Sequence, residues 1–277
     1  MTKVAICISG NLGNTKRSGG RKNWNIENLN NESYNNLYPP ELGFKHIKKI
    51  LLDKYDCDTF FHCWSNSENV KNELVELYNP KKYIVEKQKK FDVSVNDYHF
   101  KDNDIDSIFK SNISNNCKMG YKILFDSRNN NNDYLIKELN ALAFRSSSRL
   151  YSLNKSIDLM KKYKASNNIN YDWILICRFD SFWNFPIHHG NNSNFSINLK
   201  KLNTNFSYIE KRNGRIDYKY AIYDLWFLLS EKNINAFDNI FSKRFNYCMS
   251  PPYYFYKLLQ EKVNNDNIKD LIRESNP

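Results

Sequence analysis

The chain contains no Cys-x-x-Cys pair, no Gly-x-Gly-x-x-Gly and no Gly-x-x-x-x-Gly-Lys-Ser/Thr, and each absence removes a class of protein. Its six cysteines (Cys7, Cys57, Cys63, Cys117, Cys177 and Cys248) are scattered at spacings that match no zinc module. Without the two glycine-rich fingerprints, neither a dinucleotide-binding turn nor a P-loop can be read from the sequence. No apolar stretch approaches the length of a transmembrane helix. The opening run Val4–Ile8 is too short for a signal sequence and leads to Gly10 rather than a cleavage site. With unpaired cysteines, the expected compartment is a reducing cytoplasm. The Asn-x-Ser sites at Asn31 and Asn194 arise easily in so asparagine-rich a chain and carry little meaning without a secretory signal.

Aromatic residues, by contrast, are plentiful. They make up 15% of the 277 residues and apolar residues 41%, enough for a sizeable core, so a disordered chain is excluded. The net charge of +11 favours anionic partners: nucleotides, acidic glycans or a membrane surface. Part of that lysine excess follows from a general richness in Lys, Asn, Ile, Tyr and Phe, as A/T-rich codons produce. Nucleic-acid binding is therefore weighed against.

Val4–Ile8 reads as a buried strand, followed by Ser9-Gly10-Asn11 and a polar loop carrying Arg17 and Arg21. Pro39-Pro40-Glu41 opens a helix with Phe44, Ile47, Ile50 and Leu51 at helical spacing. Thr59–Trp64 is a second strand, Glu68–Tyr78 a second helix and Tyr83–Val85 a third strand. This β-α-β-α-β order predicts an α/β fold with a parallel sheet. From 87 to 132 the pattern dissolves into a polar surface excursion. A long helix is expected from Asp133 to about Lys164, with Leu135, Leu139, Leu142, Leu150, Leu153, Ile157 and Met160 near one stripe. Arg145-Ser146-Ser147-Ser148-Arg149 interrupts that stripe. Beyond 180 the sequence suggests β-like pieces over 195–199, 206–209 and 220–229, a helix near 234–241 and a last helix after Pro251-Pro252. One domain is expected over 1–277, with a nucleotide-binding half (1–180) and an acceptor-side half (181–277).

Four constellations could carry chemistry. Ser9-Gly10-Asn11 leaves a first parallel strand, a usual place to hold a nucleotide, with Arg17 beyond it. Asp56-Cys57-Asp58 invites a metal reading but precedes its strand, opposite the expected crevice, so an exposed turn is the expectation. His62 and Trp64, at the far end of the same strand, are placed to meet a base or sugar, with a buried, satisfied histidine as the other reading. The apolar run Tyr171–Cys177 closes in Arg178-Phe179-Asp180. At such a strand end Asp180 could serve a metal or a sugar hydroxyl, and Arg178 a phosphate. Asp224 sits among Tyr223, Trp226 and Phe227, surroundings that raise a carboxylate's proton affinity and suit a general base or acceptor binding.

The series Ile6–Gly10, Asp58–Trp64, Tyr171–Asp180 and Tyr223–Trp226 resembles glycosyltransferases of the GT-A type from capsule and surface-glycan loci. The resemblance implies a Rossmann-like sheet, a nucleotide-sugar donor and a glycan acceptor, with Asp180 near the donor diphosphate and Arg178 its cationic companion. Two departures stand out: no Asp-x-Asp stands at that strand end, and no histidine follows His189. Both weigh against a divalent metal (Mn or Mg) on Asp180 and leave Arg17, Arg21, Arg145 or Arg149 to neutralise the diphosphate. The expected function is thus sugar transfer to a hydroxyl, with peripheral membrane association one consequence of the charge. The rival readings are a transferase using another phosphate-containing donor, and a non-catalytic basic module for nucleic acid or acidic glycan.

Overall fold

The computed structural model describes residues 2–12, 37–94, 97, 133–179, 197–209, 226–246, 251–263 and 268–270. Asp180, Asp224 and Arg17, and most of the 87–132 excursion, lie outside them. The elements run β1 (Lys3–Gly10), α1 (Pro40–Ile47, continued by a π turn Lys48–Leu52), β2 (Asp56–Trp64), α2 (Glu68–Tyr78), β3 (Lys82–Glu86) and α3 (Asp133–Asn167). Then follow β4 (Trp173–Arg178), β5 (Ser207–Ile209), β6 (Trp226–Ser230), α4 (Pro251–Val263) and β7 (Ile268–Asp270).

The strands form one seven-stranded sheet in the order β3-β2-β1-β4-β6-β5-β7. Among them only β6 runs against the rest, pairing antiparallel with both β4 and β5. The expected α/β class with a mostly parallel sheet is therefore observed. β1 is central because nothing polar interrupts Val4–Ile8: all five residues are completely buried, as a strand covered on both faces requires.

Alternation along β1 divides the core into two. Val4, Ile6 and Ile8 face α1 and α2, packing with Ile47, Leu51, Val70 and Leu74. Ala5 and Cys7 face the opposite layer, with Leu150, Leu153, Ile157 and Met160 of α3 and Phe255, Leu258 and Leu259 of α4. Each fully buried Val, Leu, Ile, Phe or Met side chain among them contributes about 1.5–3 kcal/mol. α2 begins where Ser67 accepts a hydrogen bond from the Val70 amide and ends at Asn79, which adopts the left-handed conformation (φ 40°).

Two expectations need correction. The strand expected over 195–199 is, where described, a 3-10 turn at Leu199–Lys201, because Asn198 accepts the Lys200 amide at 3.2 Å and diverts the backbone. The helix expected over 234–241 is a 3-10 helix, Glu231–Phe237, followed by turns that pass through Asn239 at φ 55°.

Candidate functional site

The chain moves outward from β1 through β2 to β3, then returns to place β4 on the other side of β1. α1 and α2 cover one face and α3 the other. The strand order thus reverses between β1 and β4, and the carboxyl ends of these two strands frame the crevice where open α/β sheets bind ligands. β1 ends there in Ser9 and Gly10, and β4 in Arg178.

Register sets Ile84, His62, Ser9 and Arg178 side by side across β3, β2, β1 and β4. Paired residues of parallel strands point to the same face, and alternation from Cys7 and Phe60 makes that the α3 face. One turn of α3 lies over this row. Arg149 Nη1 donates to Ser9 Oγ at 3.0 Å, and the Gly10 amide donates to Ser152 Oγ at 2.8 Å. Gly10 has φ +112°, a conformation that L side chains rarely adopt, so β1 turns away from the sheet here because glycine permits it.

The end of the serine-rich interruption, Ser148 and Arg149, has a physical reason. Below it, Leu150, Leu153, Ile157 and Met160 meet the apolar middle of the sheet. At the strand ends the sheet becomes polar and the helix answers in kind. Ser148 donates to Gln88 (3.0 Å), while Arg149 and Ser152 hold β1. Arg145 is turned differently, its Nε donating to the Ala141 carbonyl of its own helix at 3.3 Å.

His62 is completely buried. Its Nδ1 lies 2.8 Å from Ser152 Oγ and its Nε2 3.0 Å from Glu86 Oε1. Lys89 closes the row, 3.0 Å from Glu86 Oε2 and within hydrogen-bond reach (2.6 Å) of the Tyr151 hydroxyl. The buried, satisfied histidine of the two sequence readings is the one observed. Trp64, 8% exposed, stacks on Tyr151 at 5.4 Å between ring centroids, so that face of the indole is already covered. Asn11 is half-buried just past Gly10.

Burial pushes the His62 pKa below its ordinary 6.5 against the opposing pull of Glu86. Burial alone would raise Glu86, but hydrogen bonds from His62 and Lys89 outweigh it and hold the carboxyl below its ordinary 4.5. The resident pair is therefore neutral imidazole beside carboxylate. On unfolding, both groups regain their ordinary proton affinity, so the unfolded chain binds more protons at acid pH. This contribution to stability is whole above about pH 6.5 and is lost as pH falls, first through His62 and then through Glu86. Urea midpoints are expected to decline from pH 7 to pH 5, and His62→Asn is expected to flatten that decline.

The acids Asp56 and Asp58 lie at the other end of the sheet. They belong to β2 itself, not to an exposed turn before it, and Asp58 is 4% exposed. It accepts the Tyr171 hydroxyl at 2.9 Å, with Lys3 at 3.2 Å and Lys81 at 3.7 Å. These partners let the third residue of β2 be a buried carboxylate. Cys7 and Cys63 are buried free thiols, and burial holds Cys63 up at about 12, so both act as small hydrophobes.

Ser152, Glu86 and Lys89 were missed by sequence reasoning. Ser152 falls beyond the 145–149 break, between Leu150 and Leu153, where no sequence signal pointed to it, and Glu86 could be found only from the register that sets it opposite Trp64. No family model, no curated protein and no solved structure matches the chain.

Proposed function

We propose that the protein is a GT-A-like glycosyltransferase that moves a sugar from a nucleotide-sugar to a hydroxyl of a glycan acceptor. The observation that carries this reading is the pairing of Ser9 and Arg149 at the switch point, with Arg178 in the same row. Cations at that position suit a diphosphate, whose charge grows as it leaves the sugar.

In this reading Arg149 and Arg178 hold the phosphates, and the Gly10-Asn11 turn approaches them through its backbone. Asp180, two residues beyond Arg178, takes a hydroxyl of the donor sugar, and Asp224 removes the acceptor's proton. A divalent ion on Asp180 would supply further charge neutralisation. Among the described residues, which do not include Asp180, no group of three or more His, Cys, Asp or Glu could hold such an ion. Among the same residues no helix is long and apolar enough to cross a membrane.

The test is thermal stabilisation by UDP, GDP, CMP and dTDP, with and without manganese. A nucleotide at about a hundred times its dissociation constant adds roughly 2.7 kcal/mol, a clear rise in melting temperature. A selective, metal-independent rise supports the arginine-based reading, and a manganese-dependent one moves the phosphate contact to Asp180. No rise with any nucleotide defeats the transferase and favours a basic binding module, to be followed on heparin and DNA by its salt dependence.

A further inference from the structure

Four polar groups that belong to four different elements form one continuous line under the crevice. Glu86 at the end of β3 meets His62 Nε2 (3.0 Å), His62 Nδ1 meets Ser152 Oγ (2.8 Å), and Ser152 Oγ receives the Gly10 amide (2.8 Å). The order acid, imidazole, hydroxyl is that of a relay which activates a nucleophile. Here it cannot work in that sense, because Ser152 is completely buried and one of its lone pairs is already taken by Gly10.

Proton bookkeeping shows what the line can do. An ionised Glu86 requires a proton on His62 Nε2, since a ring lone pair facing a carboxylate would be repelled. That fixes the tautomer and leaves Nδ1 as an acceptor. The single Ser152 proton then points to Nδ1, with the His62 carbonyl, at 3.3 Å, the weaker alternative. Ser152 must therefore accept from Gly10 rather than donate. Each group fixes the direction of the next, from a half-exposed carboxylate to a backbone amide at the rim of the crevice.

α3 consequently holds β1 twice within one turn, Arg149 at Ser9 and Ser152 at Gly10. The first hold places a cation, and the second fixes the peptide plane at the φ +112° turn. We propose that Ser152 and His62, oriented by Glu86, are positioning residues that lock the Ser9-Gly10-Asn11 turn in the form that receives a diphosphate. This inference rests on the proposed function for its ligand, but the lock itself is a property of the ligand-free chain.

The experiment follows the Gly10 amide and diphosphate affinity separately in the full chain. Nitrogen-15 spectra give hydrogen exchange at Gly10 and the tautomer of His62, and calorimetry gives the affinity for inorganic pyrophosphate and for UDP. Ser152→Ala and His62→Gln both remove the hydrogen bond at Nδ1. The two conservative variants retain it, Ser152→Thr by keeping a hydroxyl and His62→Asn by keeping an acceptor near the Nδ1 position. The expected result is exchange at Gly10 about tenfold faster or more, and affinity at least about tenfold weaker, in the first two variants. Ser152→Thr and His62→Asn should lie near the unaltered protein.

Unchanged exchange at Gly10 in Ser152→Ala overturns the lock. Faster exchange with unchanged affinity overturns its role in binding. If the unaltered chain binds neither pyrophosphate nor UDP, the transferase reading falls, and the exchange data still decide the lock. Should Ser152→Ala fail to fold, Ser152→Thr and the His62 pair supply the same comparison.

Discussion

Replacement of Arg149 by alanine is expected to weaken nucleoside diphosphate binding by about 10- to 100-fold, from the 1.5–3 kcal/mol typical of a hydrogen bond to a charged group. The guanidinium is held by its Nη1 on Ser9 at the switch point, which leaves the planar fork oriented before any ligand arrives. Arg149→Lys restores the charge without the fork and is expected to recover only part of the loss. Arg145 is the internal comparison: it is one helical turn away, carries the same charge and is turned back onto Ala141. If Arg145→Ala weakens binding as much as Arg149→Ala, only net charge matters and the site assignment fails. Calorimetry on the two variants decides it.

Gly43→Ala is expected to destabilise the fold by about 2–3 kcal/mol, although it adds a single methyl group to a helix. α1 sits directly on the turn that follows β4. A Cβ at Gly43 would stand 2.3 Å from the Phe179 carbonyl oxygen and 3.5 Å from its carbon. The obstacle is backbone, so no rotamer change relieves it, and either α1 or the turn must shift. In an exposed helix the same exchange would stabilise by roughly 1 kcal/mol through helix propensity, so here the sign reverses. Because the displaced turn leads straight to Asp180, nucleotide binding should fall with stability. Urea unfolding gives the first effect and calorimetry the second, and unchanged stability would show that α1 yields freely.

The hydrogen-bonded line from Glu86 to Gly10 and the close approach of Gly43 to the Phe179 carbonyl share a property that explains how much could be read beforehand. Periodicity reports what one element needs from its surroundings. An uninterrupted apolar run needs cover on both faces, which is why β1 and β4 were legible with their approximate limits. The pattern Val70, Leu74 at helical spacing needs one face covered, which located α2. Strand ends that switch abruptly from apolar to polar, at Ser9 and Arg178, announced the edge of the sheet where chemistry belongs. The shorter elements after 180 were less legible. There a local side-chain bond at Asn198 and a left-handed Asn239 decide the backbone, and neither has a periodic signature.

The sequence by itself therefore determined the class of fold, the central strands and the end of the sheet that carries the candidate site. Tertiary structure alone decided which polar groups meet there. Glu86 and His62 are 24 residues apart, His62 and Ser152 are 90, and Gly10 and Ser152 are 142. No spacing rule reaches across such separations. The pairs exist because sheet register aligns β1, β2 and β3, and because the apolar stripe of α3 packs in one phase that brings Arg149 and Ser152 over the strand ends. The same packing turned His62 from a residue that could face a ligand into one that orders the backbone beneath it.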